Sequence, residues 1–476
     1  MSFLRHTFQS ANASLITAVS RFVAMAMFAR TLGVESFGLL SSSIFCIDLV
    51  ALFALAGLPG TTTRFSSLAS YAERITLARL LSRWLLVSCI VAFCIAPIIA
   101  VSVIELDETG VALFIGWSLL TVILTAGTAR LQGAMRFDLV SLASGIAAVT
   151  IVLGAFFWVE PGRPLTAFSV LAVTVLLQIL PAASLWFGIT KPAPPRATGS
   201  GLPATRDMFA YGANVWLISL TTAIVWGRGE ILVVEALLGA EDIGIYGAAI
   251  TLMAMVWRST QMLQGAVAPH LARRLSGPGG DLESFVFSIT RLTLAVSTSA
   301  ALVLACCGEE LAVLVFGDAF ARTGDILVII APGAAVAGIG TVNLTTQYMS
   351  NGQFTRNMVI VAAFALLGVA CILILSFGAL GAGLARVVVL LAVAVTVSLW
   401  LIRAGYATLS IRIVVELLGS VLLVATASLV VLVFDPNLWV KASLCFAMAY
   451  LVVGRATGSF VPWRMIRGGV RVLRML

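Results

Sequence analysis

From residue 10 to residue 456 the chain runs through one apolar stretch after another, each about 20 residues long and parted from the next by a short polar segment. That length is what an α-helix needs to cross the hydrocarbon of a bilayer, whereas strands of a membrane barrel need only about ten residues of alternating pattern. Hydrocarbon offers no partner to a backbone N–H or C=O, so a segment that stays there must pair its own peptide groups, as a helix does. Fourteen such stretches can be placed, among them the first at 10–32, the second at 38–62, the seventh at 209–236, the ninth at 286–306 and the last two at 413–434 and 438–456. With 61% of its 476 residues apolar and only 11% charged, the chain carries more apolar side chain than a water-soluble core could bury. The expected fold is an all-α polytopic membrane bundle.

A polar stretch rich in Pro, Gly and Ser, "TKPAPPRATGSGLPATRD", parts the first six helices from the rest and has the composition of a linker. The expected organisation is an N-terminal six-helix lobe over residues 1–189, a cytoplasmic linker over 190–207, a second six-helix lobe over 208–404, two further transmembrane helices over 405–456 and a basic amphipathic tail over 457–476. The net charge of +8 speaks of topology rather than of nucleic acid, because the basic residues favour alternate loops. With a cytoplasmic N-terminus, 21 of the 29 basic residues fall on cytoplasmic segments, from Arg5, Arg64 and Arg74 to Arg467, Arg471 and Arg474. The opposite connections carry Glu35, Asp107, Glu160, Glu241, Asp242, Glu309, Asp318 and Asp435. Both termini are therefore expected inside. The first apolar run lacks a small-residue cleavage site after a short core and reads as a retained helix.

A short phrase recurs. Leu32, Gly33, Glu35 and Gly38 in "TLGVESFG" return 206 positions later (238 − 32) as Leu238, Gly239, Glu241 and Gly244 in "LLGAEDIG". Each copy sits at the outer end of the first helix of a half, where Gly33 and Gly239 are expected to take the positive φ that ends a helix. Gly38 and Gly244 fall where the next helix begins against its neighbour. Six helices separate the copies, so the two halves share one orientation and are expected to be related by an axis along the membrane normal.

The reactive constellations of an enzyme are not spelled in the chain. Seven cysteines lie in or at the ends of apolar runs without a C-x-x-C pair, and the two histidines, His6 and His270, are too far apart in sequence to suggest a metal site. The only lysines, Lys191 and Lys441, lack the glycines of a phosphate-cradling loop. The longest outer connection, Cys307 to Gly324, spans about eighteen residues, too few for a catalytic domain. No catalysis, cofactor or metal is expected.

The informative residues are charges within the apolar runs, since an ionised group there costs at least about 2.5 kcal/mol unless a cavity or partner compensates it. Arg21 and Asp48 lie near mid-depth of the first two helices, Arg228 and Glu230 toward the outer part of the seventh, and Arg258 toward the inner part of the eighth. The amides Gln261, Gln264, Asn343 and Gln347 are further candidates to line a pocket, or else to hydrogen-bond between helices. Two readings of the charges stay open: Arg21 neutralises Asp48 and Glu230 neutralises Arg228 or Arg258, or the arginines face a wet cavity and hold an anion.

"FARTLGVESFGLLSSSIF", "RGEILVVEALLGAEDIGIYGAAITL", "VFGDAF" followed by "ILVIIAPGAAVAGIGTVNLTTQYMSNGQFTRN", and "FGALGAGLARV" resemble, in that order, the pattern of the polysaccharide transporter family, the Wzx-type lipid-linked oligosaccharide flippases. The resemblance runs over roughly residues 5–455 and rests on order and spacing rather than on one phrase. It implies membership of the multidrug, oligosaccharidyl-lipid and polysaccharide exporter superfamily, with two pseudo-symmetric six-helix lobes in a V plus two C-terminal helices. It also implies transport of a polyprenyl-pyrophosphate-linked oligosaccharide across a bacterial cytoplasmic membrane, with membrane lipids, a polymerase and glycosyltransferases as partners. Members often carry Asp where this chain has Glu230. On that reading Arg21, Arg228 and Arg258 would hold the diphosphate, with Arg64 or Arg291 adding charge at the cytoplasmic mouth. A cation-coupled exporter of small amphiphiles from the same superfamily, or a non-transporting scaffold, are the alternatives.

Overall fold

The computed structural model describes residues 2–68, 71–104, 106–134, 136–186, 205–276, 282–350 and 353–457; most of the expected linker and nearly all of the basic tail lie outside them. The described chain is helical, without a strand among the described residues. Among the described residues thirteen helices are long and apolar enough to cross a membrane, against about fourteen expected; α1 (Ser2–Leu32), with 31 residues, precedes them and is not one of the thirteen. Large apolar side chains on the outward faces stay uncovered, Phe93, Phe157, Phe364, Leu375 and Trp439 being more than half exposed. Apolar exposure on that scale suits contact with hydrocarbon.

Contacts divide the chain into two compact units, Met1–Arg228 and Gly229–Leu476. The first contains α1, α2 (Val34–Leu55), α3 (Leu58–Leu68), α4 (Tyr71–Ser102), α5 (Glu108–Gly133), α6 (Phe137–Phe157), α7 (Pro164–Trp186) and α8 (Thr205–Thr222). The division thus falls after Arg228 and not in the 190–207 stretch, because α8 packs on α2 and α3. The reason is a close backbone approach. The expected second helix, 38–62, breaks after Leu55, where Ala56 and Gly57 take positive φ of 44° and 84° before α3 begins. A Cβ on Gly57 would collide with the Gly212 carbonyl oxygen, so only glycine lets α8 come this near. Phe53 with Trp216, Phe65 with Tyr211 and Trp84 with Phe209 extend the seam.

The expected seventh helix, 209–236, is also broken. After Thr222 the coil widens into a π turn over Ala223–Arg228, and Gly227 leaves helical geometry altogether at φ −85°, ψ −117°. Helix then resumes as α9 (Ile231–Leu237). Two glycines flanking Arg228 remove the side chains that would stiffen this stretch.

The second unit continues with α10 (Ala240–Ser276), α11 (Leu282–Phe316), α12 (Thr323–Ala335), α13 (Gly340–Met349), α14 (Gln353–Phe377), α15 (Ala379–Arg403), α16 (Ala407–Phe434) and α17 (Leu438–Thr457). α11 is longer than the expected 286–306: it bends at Cys307 and carries on through "GEELAVLVF", whose Glu, Leu and Ala favour helix, so most of the expected outer connection is helical. The core lies around α12 and α13, joined by a tight turn over Val336–Ile339. At that turn α11 supplies donors to the backbone, Thr293 Oγ1 donating to Gly338 O at 2.6 Å and Ser297 Oγ to Ala335 O at 2.9 Å, while the Val328 carbonyl that Pro332 leaves open is met from α16. The last two helices are anchored rather than appended: Ser428 Oγ donates to Val328 O at 2.8 Å, and Lys441 Nζ lies 3.0 Å from Glu310 and 3.6 Å from Asp435.

The two copies of the repeated phrase diverge in detail. Gly33 adopts φ 79°, ψ 174°, a region essentially reserved for glycine. Gly239 does not take positive φ, contrary to expectation; the turn there is made by Leu238 in extended geometry at φ −125°, ψ 171°. Gly38 and Gly244 are both buried at the start of the following helices.

Candidate functional site

In the first unit Arg21 stands on α1, eleven residues before Leu32 (32 − 21) and so about 17 Å from that helix end, near mid-depth of a bilayer. It is exposed, beside the apolar face through which Ala24, Met25 and Phe28 are buried. Among the described residues Arg21 forms no ion pair, so of the two readings left open the one in which it neutralises Asp48 is not seen in this conformation. Asp48 is also exposed, on α2. Arg228 is half-buried at the end of the π turn, where its Nη1 donates to Ser41 Oγ at 2.8 Å and ties the break to α2. Arg64 lies over the Tyr211 ring at 4.4 Å and the Phe65 ring at 5.7 Å, a position that packs α3 on α8.

In the second unit Glu230 is wholly enclosed. Its Oε1 accepts from Arg386 Nε at 2.7 Å and Tyr246 Oη at 2.6 Å, and lies 2.5 Å from Arg386 Nη2. Glu230 and Tyr246 are 0% exposed and Arg386 4%. Glu230 therefore lines no cavity in this conformation, and its compensating cation is neither Arg228 nor Arg258. Such a pair is held by geometry: burial makes each charge expensive, and only mutual contact and hydrogen bonds offset the cost. Arg258 and Gln347 are exposed, and the side chain of Gln261 lies outside the described residues. Arg291 sits 3.7 Å from Glu416.

Arg386 escaped the sequence-based set of intramembrane charges. Its signal was the same as for the others: a guanidinium seven residues into an otherwise apolar helix (386 − 379), within the quoted "FGALGAGLARV". Among the described residues no group of three or more His, Cys, Asp or Glu side chains is arranged to hold a metal ion.

Several solved structures share this fold. The lipid II flippase MurJ in an inward closed conformation aligns with a TM-score of 0.67 at 14% identity, over 93% of this chain and 97% of that one. An inward-facing multidrug resistance MATE family transporter of the MOP superfamily gives 0.57 at 14%, over 84% and 95%. A MATE transporter in the bent conformation gives 0.55 at 12%, over 88% and 96%. No curated protein sequence matches the chain. The family described as "Polysaccharide biosynthesis protein" matches residues 3–274, which is 272 of 476 residues (274 − 3 + 1), and the chain belongs to that family.

Proposed function

We propose that this protein is a flippase that carries lipid-linked oligosaccharide or polysaccharide repeat units across the cytoplasmic membrane of a bacterium, by alternating access, for cell-surface polysaccharide synthesis. The observation that carries the reading is Arg21, an exposed guanidinium near mid-depth of an apolar helix without an ion pair among the described residues. Lipid is a poor neighbour for such a group; a water-filled path used by an anionic ligand suits it. A polyprenyl pyrophosphate offers paired phosphates that guanidinium forks match, and the exposed Arg258 carries a further fork on α10. Membership of a polysaccharide biosynthesis family and the fold shared with a lipid II flippase support a lipid-linked substrate. Both termini face the cytoplasm on this reading, with a polysaccharide polymerase and glycosyltransferases as working partners. The broken helix around residues 223–230, where the two units divide, gives the chain a place to bend.

The second reading, export of small cationic amphiphiles, is favoured by the fold shared with MATE transporters. Reconstitution into vesicles with polyprenyl-pyrophosphate-linked oligosaccharide on one leaflet separates the two. Appearance of the sugar on the opposite leaflet is the expected result. Transport of cationic dyes with no movement of lipid-linked sugar would replace the first reading by the second.

A further inference from the structure

A cavity of about 210 Å³ opens among α11, α16 and α17 at the arginine-rich end of the second unit. Its polar end is made by Arg291, Glu416 and Arg455, and Leu294, Leu423 and Leu451 form an apolar wall. Depth is set by α17, whose 20 residues measure about 30 Å. Arg455 lies two residues from its end, where hydrocarbon gives way to headgroups.

The charges at this end do not balance. Glu416 lies 3.2 Å from Arg455 Nε and 3.7 Å from Arg291 Nε, so two guanidinium groups share one carboxylate and the cluster carries +1 (2 − 1). Arg291 Nη2 donates to the Arg455 backbone carbonyl, one of the last-turn carbonyls that a helix leaves open. Arg291 Nε, by contrast, is shut away from solvent without a hydrogen-bond acceptor. The Arg291 side chain as a whole is nonetheless 31% exposed, so an incoming phosphate oxygen would meet its terminal nitrogens rather than Nε. Arg455 is 60% exposed and has N–H groups to spare.

We propose that this cavity binds the headgroup of an anionic glycerophospholipid, its phosphodiester on Arg291 and Arg455 and an acyl chain along Leu294, Leu423 and Leu451. A phosphodiester with no other charge brings the cluster to neutrality. A zwitterionic lipid adds an ammonium with its phosphate and leaves the surplus in place. Guanidinium suits phosphate oxygens in geometry, and the apolar wall continues from the headgroup zone into the bilayer interior. Such a lipid would hold α17 against α11 and α16 whatever the protein transports.

Native mass spectrometry of the full chain in detergent, titrated separately with phosphatidylglycerol, phosphatidylcholine and inorganic phosphate, tests this. Phosphatidylglycerol should be retained about tenfold better than phosphatidylcholine, as expected for charge-assisted hydrogen bonds. Arg455→Gln, at a largely exposed position, should bring the two lipids level while leaving lipid-free thermal unfolding unchanged. Gly419 borders the cavity and a Cβ there would meet nothing within 4 Å, so Gly419→Phe should fill the space and evict the lipid with every charge retained. Equal retention of both lipids by the wild type, or unaltered phosphatidylglycerol binding in Gly419→Phe, would overturn the proposal. So would displacement of the lipid by millimolar inorganic phosphate, which would make this a site for the free anion.

Discussion

Arg386 closes on Glu230 across 156 residues of sequence, and both guanidinium nitrogens that reach the carboxylate meet the same oxygen, Oε1, at 2.7 and 2.5 Å. Tyr246 donates to that oxygen too, while Oε2 has no hydrogen-bond partner among the described residues. Three donors on one oxygen couple the stretch beside the π turn to α10 and α15. Removing one charge strands the other, so Arg386→Met is expected to cost about 3–5 kcal/mol, and adding Glu230→Gln should recover most of it. Unfolding of the purified protein in detergent measures both. A single variant as stable as the wild type would mean that the pair is not held as described.

Glu230→Asp tests reach rather than charge. The shorter side chain withdraws the carboxylate by about one carbon–carbon bond, enough to pull Oε1 out of hydrogen-bond range of Arg386 and Tyr246 unless α9 shifts. A loss of about 1–3 kcal/mol is expected, smaller than for Arg386→Met because opposite charges remain side by side. Full stability with Asp would show that the helix break adjusts freely.

The two glycines of the repeated phrase should respond differently to alanine. A Cβ added at either would meet no atom within 4 Å, so crowding does not distinguish them. Backbone geometry does. Gly33→Ala should cost about 1–3 kcal/mol, since φ 79°, ψ 174° is strained for any side chain. Gly239→Ala should stay within about 0.5 kcal/mol. Equal effects on thermal unfolding would contradict the conformations described.

Periodicity and run length carried the architecture, because crossing hydrocarbon leaves few backbone choices. What they could not carry were the interruptions. Gly57 breaks the second helix to approach Gly212, a residue 155 positions away (212 − 57), and no local pattern announces a contact of that span. Gly227 lies within a run whose apolar content favours helix on both sides, and the π turn there depends on packing. The same holds for charge pairing. Arg228 lies two residues from Glu230 in sequence, yet Arg228 reaches Ser41 and Arg386 takes the carboxylate. The second repeat copy repeats the letters of the first, but its turn passes through Leu238 because only the neighbouring dihedral angles decide which residue bends.

Arg21 offers the most direct test of the transport reading. Had it paired with Asp48, Arg21→Ala would leave a stranded carboxylate, and Asp48→Ala in addition would restore folding and activity. Arg21 has no ion pair among the described residues, so its loss should not unfold the protein. Arg21→Ala is expected to abolish movement of lipid-linked sugar in reconstituted vesicles while membrane abundance and thermal unfolding stay at wild-type levels. Arg21→Lys should retain part of the activity, keeping the charge and losing the planar fork. Arg21→Ala with Asp48→Ala should remain inactive. Recovery of transport in that double variant would remove Arg21 from the substrate path, and inactivity accompanied by low abundance would make its role one of folding.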